Sequence, residues 1–167
     1  MQLKDEKRKE EFLSVLNECQ AIFLRMSILN ADRSADSIDD LYQEMASNLW
    51  EAYPHFRNDC SITTFAYRVA VNTIYMYRRR RRRMPTFITL EGADLENIAD
   101  TDGDEMIETL YNLIGRLEKE EQALLSLYIE KRSQKEIAQI LCISENAVNQ
   151  RIKRLKHKLR KMYENDN

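Results

Sequence analysis

The feature that most constrains the fold of this chain is the spacing of its apolar residues, which recur at steps of three and four. Over residues 6–29 they are Phe12, Val15, Leu16, Cys19, Ile22, Phe23, Met26 and Leu29. This is the period of one face of an α-helix. The 167 residues include only three Gly and two Pro, too few for a turn-rich β fold. The sequence therefore predicts an all-α protein.

The same spacing predicts six further helices. The second runs from about Ser37 to Tyr53 and ends at Pro54, and the third begins near Ser61, a residue suited to the N-cap. The next two cover about 105–117 and 119–130, and a final pair lies on either side of a break at residues 142–144. The second helix is expected to bury Leu41, Met45, Leu49 and Trp50. The third is expected to bury Phe65, Val69, Thr73 and Met76, with Ala66 and Ala70 beside them.

Residues 84–104 have weak periodicity and strong acidity. Eight acids and no Lys or Arg occur between Met84 and Thr109. Such a composition predicts a soluble tether rather than a packed element. We therefore expect two small helical domains, residues 1–83 and residues 105–167, joined by an acidic linker over residues 84–104.

The charge of the chain is segregated. A formal net charge of −2 argues by itself against a nucleic-acid partner. However, ten Lys or Arg and only two acids lie between Lys131 and Lys161, and residues 78–83 are six consecutive arginines. Because segregated charge matters more for partners than the net value, the C-terminal segment is a candidate nucleic-acid-binding surface.

The cellular compartment is constrained by what the sequence lacks. Three widely spaced cysteines form no CxxC pair and no evident disulfide framework. The N-terminal residues lack the apolar core of a signal peptide, and the pattern predicts no apolar run long enough to span a bilayer. We expect a cytoplasmic protein with reduced cysteines.

The last two helices have the features of a helix-turn-helix. Ser133 and Glu136 have the spacing of a capping box, and Ser144 is suited to cap the final helix. Apolar residues are expected to hold the two helices together, namely Ile137, Ala138, Leu141, Ile143, Val148, Ile152, Leu155 and Leu159. Cys142 stands where such turns usually have Gly, so it must avoid left-handed dihedral angles or accept strain.

The opposite face of the final helix has the chemistry for contact with the major groove. Asn and Gln can pair with adenine, Arg and Lys with guanine, and basic residues farther along can contact phosphates. In a helix-turn-helix the first turns of the second helix meet the base edges, which here are residues 145–150. The alternative is a helical hairpin with a solvated charged face, but the capping box, small residue, turn and basic helix together favour DNA binding.

Two parts of the chain resemble extracytoplasmic-function sigma factors of bacterial RNA polymerase. The segment LEKEEQALLSLYIEKRSQKEIAQILCISENAVNQRIKRLKHKLR resembles their region 4. The segment DDLYQEMASNLW, residues 39–50, resembles region 2.2, and FRNDCSITTFAYRVAVNTIYMYRRRRRR, residues 56–83, resembles regions 2.3 and 2.4. Departures from the family pattern are Ser37 for Asp, Ala46 for Phe and Phe65 for Trp. The resemblance covers most of residues 8–163.

This resemblance implies roles for particular residues. The region 2.2 helix would dock on core polymerase through Asp40, Gln43 and Glu44. The loop and helix that follow would contact the −10 promoter element, with a base flipped into the loop. The residues implied there are Arg57, Asn58, Asp59, Thr63, Thr64, Arg68, Asn72, Arg78 and Arg79. Tyr67 is a candidate for stacking on DNA, whereas Phe65 is expected in the core.

Region 4 would contact the −35 element. The residues implied there are Ser144, Glu145, Asn146, Asn149, Gln150, Arg151, Lys153 and Arg154. The arginine run is either a solvated helix end or a phosphate clamp, and its composition alone also permits a nuclear-localisation signal. The acidic linker would thread a basic channel of the polymerase. The implied partners are core RNA polymerase, promoter DNA and, in some family members, an anti-sigma factor.

No catalytic constellation is evident. The two histidines, His55 and His157, are far apart in sequence, and no phosphate loop, zinc spacing or nucleophile elbow occurs. We expect no enzymatic activity, no metal site and no cofactor. Two other functions stay open, a stand-alone transcriptional regulator with a similar helix-turn-helix and an RNA-binding or assembly protein that uses the arginine run. Neither explains the segments that resemble region 2.

Overall fold

The structure, a computed structural model, describes residues 2–31, 34–83 and 104–166. All the secondary structure of these residues is helical, which confirms the predicted all-α class. The helices are α1 (Gln2–Asn30), α2 (Ala35–Ala52), α3 (Ile62–Arg83), α4 (Asp104–Gly115), α5 (Lys119–Ile129), α6 (Gln134–Leu141) and α7 (Glu145–Asp166), with a 3-10 turn at Tyr53–His55. The predicted acidic linker lies outside the described residues, except that Asp104 begins α4.

Helices α1, α2 and α3 pack against one another and share one core. Ser34 caps α2, since its Oγ accepts a hydrogen bond from the Ser37 N–H at 3.2 Å. Pro54 lies in the 3-10 turn that follows α2, as its missing N–H predicts. Trp50 packs at the edge of this core with its ring 4.8 Å from that of Phe12. The central side chains are Phe23, Met26, Leu41, Met45, Leu49, Ala66, Ala70 and Ile74.

The buried side of α3 differs from the prediction most at Met76. Val69 and Thr73 are buried as expected and Phe65 is partly buried against the core, but Met76 is 55% exposed. Helix α3 packs against α6 as well as against α1 and α2, so its buried surface is wider than one helical stripe. It also includes Tyr67 and Val71, which face away from Met76.

Helix α1 meets the length and composition expected of a membrane span over Lys9–Asn30, although the sequence pattern predicted none. One side of this segment is buried in the core, including Cys19, Phe23 and Met26. Burial also raises the pKa of the Cys19 thiol to about 11, with a smaller contribution from nearby Glu18. A helix that contributes to a core meets the same criteria as a membrane span, and the buried residues of α1 do contribute to one, whereas Leu13, Leu24 and Ile28 of the same segment are exposed.

Helices α4–α7 form the C-terminal group, in which α7 contacts α4, α5 and α6. Its core includes Leu124, Leu127, Ile137, Val148, Ile152 and Leu155. Buried Gln122 donates hydrogen bonds from its side-chain amide to the carbonyls of Ile114 and Leu117, at 2.7 and 2.9 Å. These bonds satisfy carbonyl groups at and just after the end of α4, and they link α5 to α4. The C-terminal group contacts the N-terminal helices through α5 with α1 and through α6 with α3.

Candidate nucleic-acid interface

Helices α6 and α7 form a helix-turn-helix with the predicted caps. The Ser133 Oγ accepts a hydrogen bond from the Glu136 N–H at 3.2 Å, and the Glu136 carboxylate accepts one from the Ser133 N–H at 2.8 Å. These bonds to Ser133 hold the pKa of the Glu136 carboxyl below its usual range. The Ser144 Oγ accepts from the Ala147 N–H at 3.1 Å and caps α7. These capping bonds define where α6 and α7 begin.

The apolar contacts of the helix-turn-helix follow the prediction with one addition. Val148, Ile152 and Leu155 of α7 are buried, and so are Ile137 and Ala138 of α6. Ile143 and Leu159 are partly buried against the core, as is Leu141. Ile140 is also buried, because it faces α3 across the cleft between α6 and α3. The sequence analysis did not predict its burial.

Cys142 has left-handed backbone angles, with φ 55° and ψ 43°. Its N–H donates to the Ala138 carbonyl and so ends α6. The sequence analysis left two outcomes open at this residue, and the structure has the strained one. A non-glycine residue in this conformation costs roughly 1–2 kcal/mol, because its Cβ crowds the backbone.

We expect Cys142→Gly to raise the free energy of unfolding by about 1 kcal/mol, since the released strain exceeds the added chain entropy. Denaturant unfolding followed by circular dichroism measures this. Cys142→Ala is the matched control, because it also removes the thiol but keeps the Cβ. Equal stability of the two variants would show that the turn stores no strain at this position.

The outward face of α7 presents the predicted polar and basic residues to solvent. The side chains of Glu145, Asn146, Gln150, Arg151, Lys153 and Arg154 are exposed, and that of Asn149 is partly buried. Two basic residues farther along are engaged within the C-terminal group: Lys158 donates to Glu121 at 2.7 Å, and the Lys156 ammonium lies 4.7 Å from the centre of the Tyr128 ring. The first half of this face, where contact with base edges is expected, is therefore open to solvent, and His157, Arg160 and Lys161 beyond it are exposed as well.

Helix α2 places the three predicted docking residues on one face. Asp40 and Gln43 are exposed, whereas Glu44 is partly buried. The Glu44 carboxylate accepts from the Arg80 guanidinium at 2.6 Å, so one member of the arginine run is paired with one member of the docking face.

The segment before α3 contains residues exposed to solvent, followed by residues that form the N-cap of α3. Arg57, Asn58 and Asp59 are exposed, and Asn58 has a positive φ of 58°. Thr64 is buried, and its N–H donates to the Ser61 Oγ at 3.1 Å, which confirms Ser61 as the cap. Thr63 is partly buried, and its hydroxyl lies 2.9 Å from that of Ser61. Of the predicted loop residues, Arg57, Asn58 and Asp59 are therefore the most accessible to a nucleotide.

The residues of α3 predicted to contact the −10 element are in different environments. Asn72 and Arg79 are exposed. Arg78 is partly buried and donates to the Asn30 side-chain oxygen at 3.1 Å. Arg68 donates twice to the backbone carbonyl of Gln139 in α6, at 2.9 and 2.7 Å. Buried Tyr67 faces α5 and not solvent, contrary to a stacking role in this arrangement.

Two family models match the chain, sigma-70 region 2 over residues 19–84 and sigma-70 region 4 over residues 107–159. The chain belongs to the sigma-70 family. The region 4 match is of the type found in extracytoplasmic-function sigma factors, which confirms the group that the sequence segments resemble. Region 2 contains α2, α3 and part of α1, and region 4 contains α5, α6 and most of α4 and α7.

Two solved structures of protein complexes contain a chain with the same fold. The structure of CnrH in complex with the cytosolic domain of CnrY has 19% sequence identity and a TM-score of 0.66, and covers 95% of this chain and 91% of that chain. The co-crystal structure of the sigma factor RpoE with the anti-sigma factor NepR from Bartonella quintana has 17% identity and a TM-score of 0.61, covering 95% and 98%. A search of curated proteins found no significant match.

Sequence reasoning did not identify the residues that join region 2 to region 4. Glu130 at the end of α5 is bonded to Arg25 of α1 and Tyr67 of α3, and Asn30 of α1 is bonded to Ser126 of α5. These pairs are separated by 63 to 105 positions in sequence. No local pattern in the sequence marks these residues as partners.

Proposed function

We propose that this sigma factor binds core RNA polymerase and directs it to promoters with defined −10 and −35 elements. The observation that carries the proposal is the pairing, in one chain, of a region 2 match that includes an exposed polar face on α2 and a region 4 match that includes an exposed polar and basic face on α7. A stand-alone regulator needs only the second. Sigma factors recognise DNA without catalysing a reaction, so the chemistry of transcription belongs to the polymerase.

Region 2 supplies both docking and −10 contacts in this proposal. Asp40, Gln43 and Glu44 lie on one side of α2 and can meet the polymerase together. Arg57, Asn58 and Asp59 are exposed in the preceding loop of α3, where polar side chains can hydrogen-bond the edge of a flipped base. Asn72 and the basic residues of α3 would contact the neighbouring strand.

Region 4 supplies the −35 contacts. Gln150 and Asn146 are exposed on α7 and can form paired hydrogen bonds with adenine in the major groove. Lys153 and Arg154 lie about one turn farther on and can neutralise phosphates. Ser144, Glu145, Asn149 and Arg151 complete the proposed surface.

Other partners follow from the family. The acidic linker over residues 84–104 is suited to a basic channel of the polymerase, and it keeps the two DNA-binding regions at a high effective concentration. An anti-sigma factor is a candidate partner, because one structurally similar sigma factor is bound to an anti-sigma factor. The proposed site of action is the cytoplasm, where the polymerase works.

Gel filtration of the full chain with purified core polymerase tests the proposal. We expect the chain to elute with the core enzyme in the absence of DNA. A stand-alone regulator would elute apart from the core and bind duplex DNA alone, and an RNA-binding protein would require RNA to change its elution. Either result would overturn the proposed function.

A further inference from the structure

A cleft lies between α3 and the helix-turn-helix. Its volume is about 330 Å³, which is at the lower end of the range of roughly 300–1,000 Å³ found for small-molecule sites. Side chains of α3 form one wall, and side chains from the end of α6 and from the turn form the opposite wall. Helices α5 and α7 also contribute to its lining. The cleft is therefore large enough for a small organic molecule.

One part of the cleft is apolar. Val71 of α3 and Ile140 of α6 line it, and both side chains are buried in the protein apart from the surface that they turn to the cleft. Leu141 lies beside them and is partly buried. An apolar group placed against these side chains would be removed from water, which is the main favourable contribution to the binding of small organic molecules.

The other part of the cleft is polar and positively charged. Arg68 of α3 and Arg151 of α7 line it, and Glu120 of α5 is the one carboxylate among the lining residues that the structure describes. Positive charge is therefore in excess, which favours an anionic ligand. Asn72 and Tyr75 add an amide and a phenol, both of which can donate hydrogen bonds to the oxygen atoms of such a ligand.

Arg68 is held in place by the protein itself. Its Nε and one terminal nitrogen donate to the Gln139 carbonyl, at 2.9 and 2.7 Å. A guanidinium has five N–H donors, so Arg68 keeps others for an acceptor in the cleft. A side chain that is already ordered loses little further freedom when a ligand binds. Arg68 is thus suited to form a charge-assisted hydrogen bond at a low entropic cost.

Two further observations indicate a binding site and not only a gap between helices. Cys142, whose backbone has left-handed angles, lines the cleft. Strained backbone of this kind is concentrated at ligand sites and active sites. In addition, the pKa of Tyr75 is raised, first by burial and then by Glu120, whereas Arg151 and Arg78 act in the opposite direction. Charged groups from three helices therefore surround one phenol.

We propose that this cleft binds a small organic anion, with its carboxylate or phosphate against Arg68 and Arg151 and its apolar body against Val71 and Ile140. The consequence for transcription rests on the proposed function, whereas the binding site does not. Arg68, Asn72 and Arg151 are also proposed promoter contacts. An anion in the cleft and promoter DNA therefore compete for the same donors, and the anion inhibits promoter binding.

Titration of the full chain with four small probes, followed by nuclear magnetic resonance, tests the site. Phenyl phosphate and benzoate combine an anion with a ring, inorganic phosphate has the anion alone, and benzamidine joins the ring to a positive charge. We expect at least one ring-bearing anion to bind with a Kd of about 1 mM or below, as is ordinary for ligands of roughly ten heavy atoms. Inorganic phosphate should bind at least about tenfold more weakly, since it buries no apolar surface, and benzamidine should not bind.

The outcomes of this titration are distinct. Saturable binding of neither ring-bearing anion would overturn the proposal. Binding of inorganic phosphate with the same Kd would show an adventitious ion only, and binding of benzamidine with the same Kd would show that the cleft does not select anions.

A pair of matched variants tests the position of the bound anion. Arg151→Gln and Arg160→Gln each remove one exposed cation from α7, but only Arg151 lines the cleft. We expect the Kd of the tighter ring-bearing anion to rise at least about tenfold in Arg151→Gln, because a hydrogen bond to a charged group is lost. It should stay within about twofold of the wild-type value in Arg160→Gln. Equal losses in the two variants would mean that the anion binds the basic face of α7 and not the cleft.

Fluorescence anisotropy of the full chain on a −35 duplex tests the competition. At ten times its Kd, the ring-bearing anion should raise the apparent Kd for DNA by about tenfold. Sodium chloride at the same ionic strength is the control for screening and should have a smaller effect. An unchanged affinity for DNA, with the anion bound, would refute the inhibition. If the chain binds no promoter duplex, the proposed function fails, while the probe titrations still decide whether the cleft is an anion site.

Discussion

Gln150→Ala is expected to change which −35 sequences the protein prefers, whereas Lys153→Ala is expected to weaken binding to all of them. Both side chains are exposed on α7, but Gln150 lies in the second turn and Lys153 about one turn farther on. An amide can form paired bonds with one base, so its loss should cost roughly 1–3 kcal/mol at one promoter position. The loss of a phosphate contact should reduce the slope of log affinity against log salt concentration by about one, without altering which sequences are preferred.

Fluorescence anisotropy of duplexes with single base changes, measured across a salt series, separates the two effects. Glu164→Ala is a suitable control, because it lies on α7 but far from the turns expected to contact bases. If both variants lose affinity by the same factor on every duplex, α7 positions region 4 on DNA without specifying sequence.

Replacing both Gln43 and Glu44 by Ala should weaken binding to core polymerase by roughly 10- to 100-fold, the range for two central interface residues. Neither side chain is fully buried, so the variant should keep its fold. Competition binding against labelled wild-type protein measures the affinity, and circular dichroism measures the fold.

Arg80→Ala is the control that separates docking from packing. It removes the ion pair with Glu44 but leaves the carboxylate in place. An ion pair at this exposure contributes about 0–1 kcal/mol to stability, so the fold should tolerate its loss. The docking role predicts little loss of affinity in Arg80→Ala. A loss as large as that of the double variant would mean that Glu44 acts by holding α3 and not by touching the polymerase.

Much of the fold could be predicted because its signals are local. Ser61, Ser133 and Ser144 mark helix starts through bonds that span only three residues, and the structure has all three. The period of α7 correctly predicted its buried side, since only one side of that helix faces a core. Met76 was assigned wrongly because α3 packs on two sides, and a single stripe cannot represent that surface.

The contact between the regions could not be predicted. Arg25 and Glu130 are 105 positions apart, and each lies on a helix where a charged residue is ordinarily solvated. Nothing in the period of α1 or α5 distinguishes a buried partner from an exposed one. The absence of Gly at residue 142 indicated that the turn would be either altered or strained. It did not indicate which, and the structure has left-handed backbone angles at Cys142.

Transcription in vitro from a library with randomised −10 and −35 segments tests the central claim most directly. We predict that core polymerase with this chain produces transcripts that core polymerase alone does not. Their templates should be enriched for one motif near −10 and one near −35, and substitutions on α7 should alter only the second. Transcripts identical in amount and sequence to those of core polymerase alone would contradict the assignment of this protein as a promoter-specific sigma factor.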